Sequence, residues 1–140
     1  MASKNVNAKG RRINGTFSAL PHAVQDSPAF RHLSPAAVKL LIDILRQYNS
    51  KNNGDLNCAF SEMRDRGWRS TATLNRAKQE LIQAGLLQVT RQGGLSQGRR
   101  VCSLFALTWH PVHECRDEHG RHKLDVKPTK IPSALWKGGE

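Results

Sequence analysis

The chain has little of what would mark a secreted, membrane-spanning or zinc-finger protein. Its three cysteines, Cys58, Cys102 and Cys115, include no closely spaced pair. Neither a disulfide framework nor a Cys-x-x-Cys metal knuckle is therefore predicted. No apolar run approaches the roughly 20 residues that cross a bilayer, and the N-terminus has no signal-peptide pattern. We expect reduced thiols, a cytoplasmic location and no membrane partner.

Acidic residues are also scarce. Asp plus Glu number 11 against 22 Lys plus Arg, which gives a formal net charge of +11 over 140 residues. Such an excess of positive charge favours a polyanionic partner, of which nucleic acid is the commonest. No nucleophile-elbow, metalloprotease or P-loop motif is present, so no enzymatic activity is expected.

Two helices are predicted from a capping serine followed by apolar residues at helical spacing. Ser34 is a suitable N-cap and Pro35 fits the first helical position. The helix that follows is apolar on more than one face, so we expect it at the centre of the core or partly in a dimer interface. Gly85, which can adopt the left-handed conformation, ends the second helix. That helix is capped by Ser70, and its buried stripe is Leu74, Ala77, Leu81 and Ile82.

A short helix and a short strand are expected between these two helices. Residues 49–54 are dense in turn-forming types, and residues 55–56 are expected to add an edge strand. Asn57 is placed to cap a helix that closes at Gly67. Two short helices joined by a glycine-containing turn form the helix-turn-helix pattern.

After Gly85 the sequence has the composition of two strands around a loop. Residues 86–90 and 101–108 are strand-like. Residues 91–100 are polar, basic and rich in glycine, which predicts a flexible wing that can approach a nucleic-acid backbone. The predicted fold class is α+β: a winged helix-turn-helix with a three-helix core and a β-hairpin wing.

The two ends of the chain differ in composition from this centre. Residues 1–16 contain basic side chains and no acid, so they are expected to form a disordered basic arm. Arg11 and Arg12 of this arm either bind a minor groove or only keep the chain soluble. Residues 17–109 are expected to form the DNA-binding domain. Residues 110–140 are expected to form an extended tail that docks on this domain or on a partner subunit.

The Ser70 helix carries side chains that suit base recognition. Asn75 and Gln79 can bond adenine in two places in the major groove, and Arg76 can do the same to guanine. The start of the helix favours a phosphate, because free backbone N–H groups and the helix dipole attract anions. The alternative is an ordinary solvated face. The predicted DNA-binding set is Arg69, Ser70, Thr71, Thr73, Asn75, Arg76, Gln79, Arg91, Gln97, Arg99, Arg100, Arg11 and Arg12.

A competing site is suggested by ligand-type side chains in the tail. Five of them fall within thirteen residues: His110, His113, Cys115, His119 and His122. Zinc is held by a few such ligands, but the segment lacks paired Cys-x-x-Cys knuckles, and Pro111 interrupts any helix that would align the ligands. No metal or cofactor is therefore assigned, and zinc binding stays an alternative.

Residues 33–109 resemble the winged helix-turn-helix superfamily. The resemblance rests on the helix start at residues 71–74, on the two strands around the wing and on the helix end Leu81-Ile82-Gln83-Ala84-Gly85-Leu86-Leu87. Three segments resemble small helix-turn-helix proteins of bacterial phages, plasmids and integrated elements. They are Asn53-Gly54-Asp55-Leu56, Arg66-Gly67-Trp68-Arg69-Ser70 and Leu124-Asp125-Val126-Lys127-Pro128-Thr129. This likeness implies a transcriptional regulator, a replication initiator or a DNA-packaging subunit, and it implies nothing for residues 110–123.

The hypothesis from the sequence is a sequence-specific double-stranded DNA-binding protein, a transcriptional repressor of a phage or mobile element. We expect it to act as a homodimer on a repeated site, without a small-molecule ligand. One alternative is a component of replication initiation or DNA packaging, similar to a small terminase. Another is a zinc-binding protein that uses residues 110–122. RNA binding is less favoured, since no stacking aromatics line a sheet face.

Overall fold

The computed structural model describes residues 15–96 and 98–138, excluding the side chains of Ser96 and Arg99. Over these ranges, five helices come first along the chain and two short antiparallel strand pairs follow them, so the predicted α+β class is confirmed. The helices are α1 (His22–Gln25), α2 (Pro28–Arg31), α3 (Pro35–Leu45), α4 (Phe60–Met63) and α5 (Thr71–Gln83). The strands are β1 (Leu87–Arg91), β2 (Gly94–Ser96), β3 (Arg99–Val101) and β4 (Leu104–Leu107). Single 3-10 turns cover Arg64–Arg66 and Leu135–Lys137.

Both long helices begin, and α5 ends, where the local chemistry predicts. The Ser34 hydroxyl accepts from the N–H of Ala37 at 3.2 Å, and the Ser70 hydroxyl accepts from the N–H of Thr73 at 3.2 Å. At the other end of α5, Gly85 has a φ of 80°. Its N–H donates to the carbonyl of Ile82, and the next N–H reaches back to Leu81, as in a Schellman motif. Both predicted caps and the predicted stop are confirmed.

Helix α4 differs from its predicted form. Asn57 is not the N-cap: the helix begins after Ala59, and the Asn57 side chain instead accepts from the Ala59 N–H at 3.0 Å in a turn. After one turn the helix tightens to a 3-10 turn, and Gly67 closes it with a φ of 101°. The short Asx-type turn competes with capping because both use the same side-chain oxygen.

The β-structure also differs from the sequence prediction. Strand β1 pairs with β4, with Leu87 opposite Leu107, and Leu56 forms the expected short edge contact through a single bridge to Phe105. The predicted strand 101–108 is interrupted before Leu104. The predicted flexible loop is instead largely a β2–β3 hairpin. At the interruption, Arg91 donates to the carbonyl of Cys102 and the N–H of Gly93 donates to the hydroxyl of Ser103.

The apolar interior consists of two clusters, one on each side of the β1–β4 sheet. The side chains of β4 point alternately into one cluster and the other. Phe105 and Leu107 face the helices, whereas Leu104 and Ala106 face the tail. This is the two-residue period of a strand buried on both sides. Helix α3 is central, as predicted, and its fully buried side chains are Ala37, Leu40, Leu41 and Ile44. None of the helices in the described ranges combines the length and hydrophobicity that a membrane crossing requires.

The tail packs on the domain of its own chain. Val112, Cys115 and Leu124 form the second cluster with β4. The N–H of Asp125 donates to the carbonyl of Thr90 at 2.7 Å. Near the end, the 3-10 turn at Leu135–Lys137 lies so close to Gly85 that any side chain at position 85 would collide with it.

Asn53 joins the loop after α3 to β4 and the start of the tail. It is fully buried, and its amide oxygen accepts from the N–H of Leu107 at 2.8 Å. Its amide nitrogen donates to the carbonyls of Leu107 and Pro111, at 3.0 and 2.9 Å, and to that of His110 at 3.1 Å. Because a buried amide is costly without partners, this residue fixes where the tail begins.

Candidate nucleic-acid interface

The outer face of α5 carries a row of free polar side chains. Asn75, Arg76 and Gln79 are exposed, and among the described residues their side chains make no hydrogen bond. Thr73 is half-buried at the edge of the row. The opposite face is buried through Leu74, Ala77 and Leu81. The structure thus brings four of the predicted contact residues to one face of one helix.

A groove of about 610 Å³ runs beside this row, between α5 and the start of α3. Ser34 and Ala36 contribute one wall, and α5 contributes the other. The α5 residues that line it are Thr73, Asn75, Arg76, Ala77, Gln79, Glu80 and Gln83. The polar row therefore borders a concave surface rather than a flat one.

Glu80 links α5 to the start of α3. Its Oε2 accepts from the backbone N–H of Ser34 at 2.7 Å, and its Oε1 accepts from the Ser34 hydroxyl at 2.7 Å. A carboxylate at a helix start is favourable because it meets free N–H groups and the positive end of the dipole. These two hydrogen bonds fix the rotation of α5 about its axis. They also leave the Glu80 carboxylate hydrogen-bonded to Ser34 within the groove.

Asp43 of α3 fixes the turn that leads into α5. The side chain is 4% exposed and accepts three hydrogen bonds. Its Oδ2 accepts from the Lys39 ammonium at 2.7 Å and from the Trp68 indole N–H at 2.8 Å, and its Oδ1 accepts from Arg66 Nε at 2.9 Å. Lys39 also donates to the carbonyl of Arg66. The residues between α4 and α5 are thereby held to the central helix.

These contacts also set the pKa of the Asp43 carboxyl. Burial by itself raises that pKa, but the hydrogen bonds from Lys39, Trp68 and Arg66 outweigh burial, so the pKa is lowered overall. The carboxylate is therefore ionised at neutral pH. Each of the two cationic partners is nearly half-exposed, which limits the cost of removing their charges from water.

At the start of α5 the predicted phosphate contacts are at the surface. Arg69, Ser70 and Thr71 are exposed. The Ser70 hydroxyl caps its own helix, whereas the Arg69 guanidinium and the Thr71 hydroxyl make no hydrogen bond within residues 15–96 and 98–138. Arg64 of the preceding 3-10 turn is also exposed. Arg64 is not in the DNA-binding set predicted from the sequence, because a basic residue in a short helix carries no local signal of its role.

In the hairpin, the predicted basic residues have different surroundings. Arg91 is half-buried, and its guanidinium donates to the Cys102 carbonyl at 2.8 and 3.1 Å, so it braces the base of the hairpin. Arg100 is exposed and pairs in register with Leu95. The other predicted positions lie outside the described residues: Arg11, Arg12, Gln97 and the side chain of Arg99.

The tail histidines are engaged in separate contacts. His110 stacks on Tyr48 with ring centroids 4.5 Å apart, and burial lowers its pKa. His113 Nδ1 accepts from the N–H of Asn53 at 2.9 Å. His122 lies 3.1 Å from a Glu114 oxygen, which raises its pKa.

Of the two remaining predicted ligands, His119 is exposed with its Nε2 3.4 Å from a Glu118 oxygen, and Cys115 is buried. Its side chain lies in the apolar cluster under β4, and burial raises the pKa of its thiol. A thiol must lose its proton to bind zinc, so this environment opposes metal binding. Within the described ranges, no group of three or more His, Cys, Asp or Glu side chains is placed to hold a metal.

Comparison with protein-family models, with curated proteins and with solved structures gave no match. What can be inferred of the function therefore comes from the α5 face, its two anchors at Asp43 and Glu80, and the β2–β3 hairpin.

Replacing Glu80 tests the anchor between α5 and α3. Glu80→Ala should lower the free energy of unfolding by about 1 kcal/mol, because the half-buried N–H and hydroxyl of Ser34 lose their acceptor. Gln83→Ala, three residues along the same helix and exposed, is the matched control. Urea unfolding measures both, and equal stability of the two variants would contradict the anchoring role.

Replacing Asp43 tests the anchor at the turn. Asp43→Asn should lower the free energy of unfolding by about 2–4 kcal/mol, because an amide cannot accept from three donors and places its own NH2 against them. The exposed Asp26→Asn is the control and should change little.

The same pair of variants gives a pH test. The folded-state pKa of Asp43 is lowered, so its stabilising effect is complete above the unfolded value of about 4 and is lost as pH falls through the folded value. The stability difference between wild type and Asp43→Asn should therefore be full at pH 7 and should narrow below about pH 4. A difference that stays constant into that acidic range would contradict the assigned network.

Proposed function

We propose that this chain is a sequence-specific double-stranded DNA-binding protein with a winged helix-turn-helix architecture. Helices α3, α4 and α5 form the three-helix unit, α5 is the recognition helix, and the β2–β3 hairpin is the wing. The observation that carries the proposal is the row Asn75, Arg76 and Gln79: exposed and unbonded among the described residues, on a helix fixed at both ends. The net charge of +11 supplies attraction to a polyanion.

The dimensions of α5 suit the major groove. A helix with its side chains is about 10–12 Å across, and the groove of B-DNA is about 12 Å wide. From Asn75 to Gln79 the helix rises about 6 Å, close to two base-pair steps of about 3.4 Å each. The three side chains can therefore address adjacent base pairs, the amides favouring adenine and the guanidinium favouring guanine.

Phosphate contacts would flank this base contact on both sides. Arg64, Arg69 and Thr71 are exposed near the start of α5, and Arg100 is exposed on the hairpin. Contacts of this kind set the register on the duplex without reading its sequence. The predicted basic arm with Arg11 and Arg12 would add to them, and this part of the interface stays a prediction.

A role as a transcriptional regulator acting as a homodimer is part of the proposal. One recognition helix reads only a few base pairs, which is too few to specify a site in a genome. A dimer on two half-sites about one helical turn apart doubles the length that is read. A repressor of a phage or mobile element is the role we favour.

Selection of bound sequences from a random duplex pool, with mass measurement by light scattering, tests this function. The expected result is an enriched inverted repeat and a dimer mass. Binding of selected and random duplexes with equal affinity would overturn sequence-specific recognition. A ring-sized mass would replace the regulatory role with one in DNA packaging.

Arg76 should contribute to base selectivity. Arg76→Ala should weaken binding to the selected site by about 1–3 kcal/mol, because a bidentate contact to guanine is lost, and should weaken random duplex less. Arg46→Ala, which removes an exposed arginine at the end of α3, is the matched control. Fluorescence anisotropy measures both variants. An equal loss on selected and random duplexes would show that Arg76 contacts only the backbone.

Arg100 should contribute charge without selectivity. Arg100→Ala should weaken all duplexes alike and reduce the slope of log K against log salt by about one, since one phosphate contact is lost. Arg31→Ala, an exposed arginine of α2, should leave the slope unchanged. If the Arg100 variant also keeps the wild-type slope, the hairpin does not contact phosphate.

A further inference from the structure

The β2–β3 hairpin presents a leucine to solvent. Leu95 is 78% exposed, the most exposed large apolar side chain among the described residues. The hairpin forms a two-stranded sheet of its own, separate from the β1–β4 pair. Leu95 is outside both core clusters, so it does not contribute to the apolar interior.

The hairpin is braced at its base. The Arg91 guanidinium donates to the Cys102 carbonyl at 2.8 Å, and the N–H of Gly93 donates to the Ser103 hydroxyl at 2.8 Å. These two hydrogen bonds join the β1–β2 connection to the β3–β4 connection. They fix the direction in which the hairpin leaves the β1–β4 sheet. On the side where a Gly94 side chain would stand, no other atom of the described residues lies within 4 Å.

A cation lies directly across from this leucine. Leu95 pairs in register with Arg100, and paired residues of antiparallel strands project from the same face. Both border an open groove of about 730 Å³ between the hairpin and the tail. Among the described residues, the charged side chains that line this groove are three carboxylates and four cations: Asp117, Glu118 and Asp125, and Arg91, Arg100, Arg121 and Lys123. The cations are therefore in excess.

An isolated exposed leucine needs no explanation by itself. Here, however, the leucine is paired with an exposed arginine on a projecting hairpin, and this pair limits the kinds of ligand that fit the surface. The minor groove of a duplex offers an apolar base step for the leucine, and the phosphates along its edge offer a negative partner for the guanidinium. A second copy that met this hairpin with its own hairpin would bring another Arg100 against the first, which charge repulsion disfavours. The complementary occupant is therefore the duplex.

We propose that Leu95 enters the minor groove beside Arg100, opens one base step and bends the duplex. This inference rests on the proposed DNA-binding function and adds to it a wedge residue and a deformation of the bound DNA. Flexible pyrimidine–purine steps, which unstack most easily, are the sequences that such a wedge favours.

The test measures bending and affinity on the same probe. The probe is a random-sequence duplex of about 30 base pairs, a length over which a bend is readily detected, with donor and acceptor dyes at its ends. Wild-type protein should raise energy transfer at saturation. Leu95→Ala should abolish most of that rise and weaken binding by about tenfold, the factor expected for losing a mostly buried leucine. Leu95→Met should retain the bend, because it keeps an apolar wedge.

Ile131→Ala is the matched control, because Ile131 is a similarly exposed aliphatic residue of the tail, at 74%. It should leave both bend and affinity unchanged. If wild type binds and Leu95→Ala bends the duplex equally, the wedge is overturned while DNA binding stands. If Leu95→Ala lowers the protein's mass in light scattering and leaves the bend intact, Leu95 is a subunit contact and the wedge is likewise overturned. If wild type does not bind duplex at all, the proposed function itself fails.

Discussion

The direction of α5 depends on one buried carboxylate. Asp43 holds the residues before α5 through the indole N–H of Trp68 and the guanidinium of Arg66. Trp68 is itself only 5% exposed, and Lys39 lies 5.4 Å from its ring centroid. An unpaired group at this depth would be costly, so the four side chains are held as one unit. Because α5 starts from this unit, its outer face points in a defined direction.

The groups that anchor α5 differ in their hydrogen bonding from the polar side chains on its outer face. The anchoring groups, Asp43 at the turn and Glu80 near the helix end, have their hydrogen bonds satisfied within the chain. Asn75, Arg76 and Gln79 have no such bonds among the described residues. A rigid support under unpartnered polar groups lowers the entropy lost on binding, which is the property of a preorganised recognition surface.

Local signals in the sequence predicted the start of α3 and both ends of α5, whereas the long-range pairs were not predicted. Ser70 and Gly85 act within one helical turn, so their roles follow from neighbouring residues. Glu80 bonds Ser34 across 46 positions, and Asn53 bonds Leu107 across 54. No local pattern encodes such partners. The strands of the β2–β3 hairpin were not predicted for a different reason, because strands of three residues are too short to show a two-residue period. Arg76 and its neighbours were predictable as an exposed face, because helical periodicity alone separates them from the buried stripe.

A duplex titration followed by the backbone amide signals of the protein would test the account most directly. If α5 enters a groove with the hairpin alongside, the largest chemical-shift changes should fall at residues 72–83 and 94–101. Arg46, Tyr48, Asn49 and Ser50, which line a separate surface pocket, should change little. Changes confined to that pocket or to the tail, with the α5 signals unmoved, would contradict the assignment of α5 as the recognition helix.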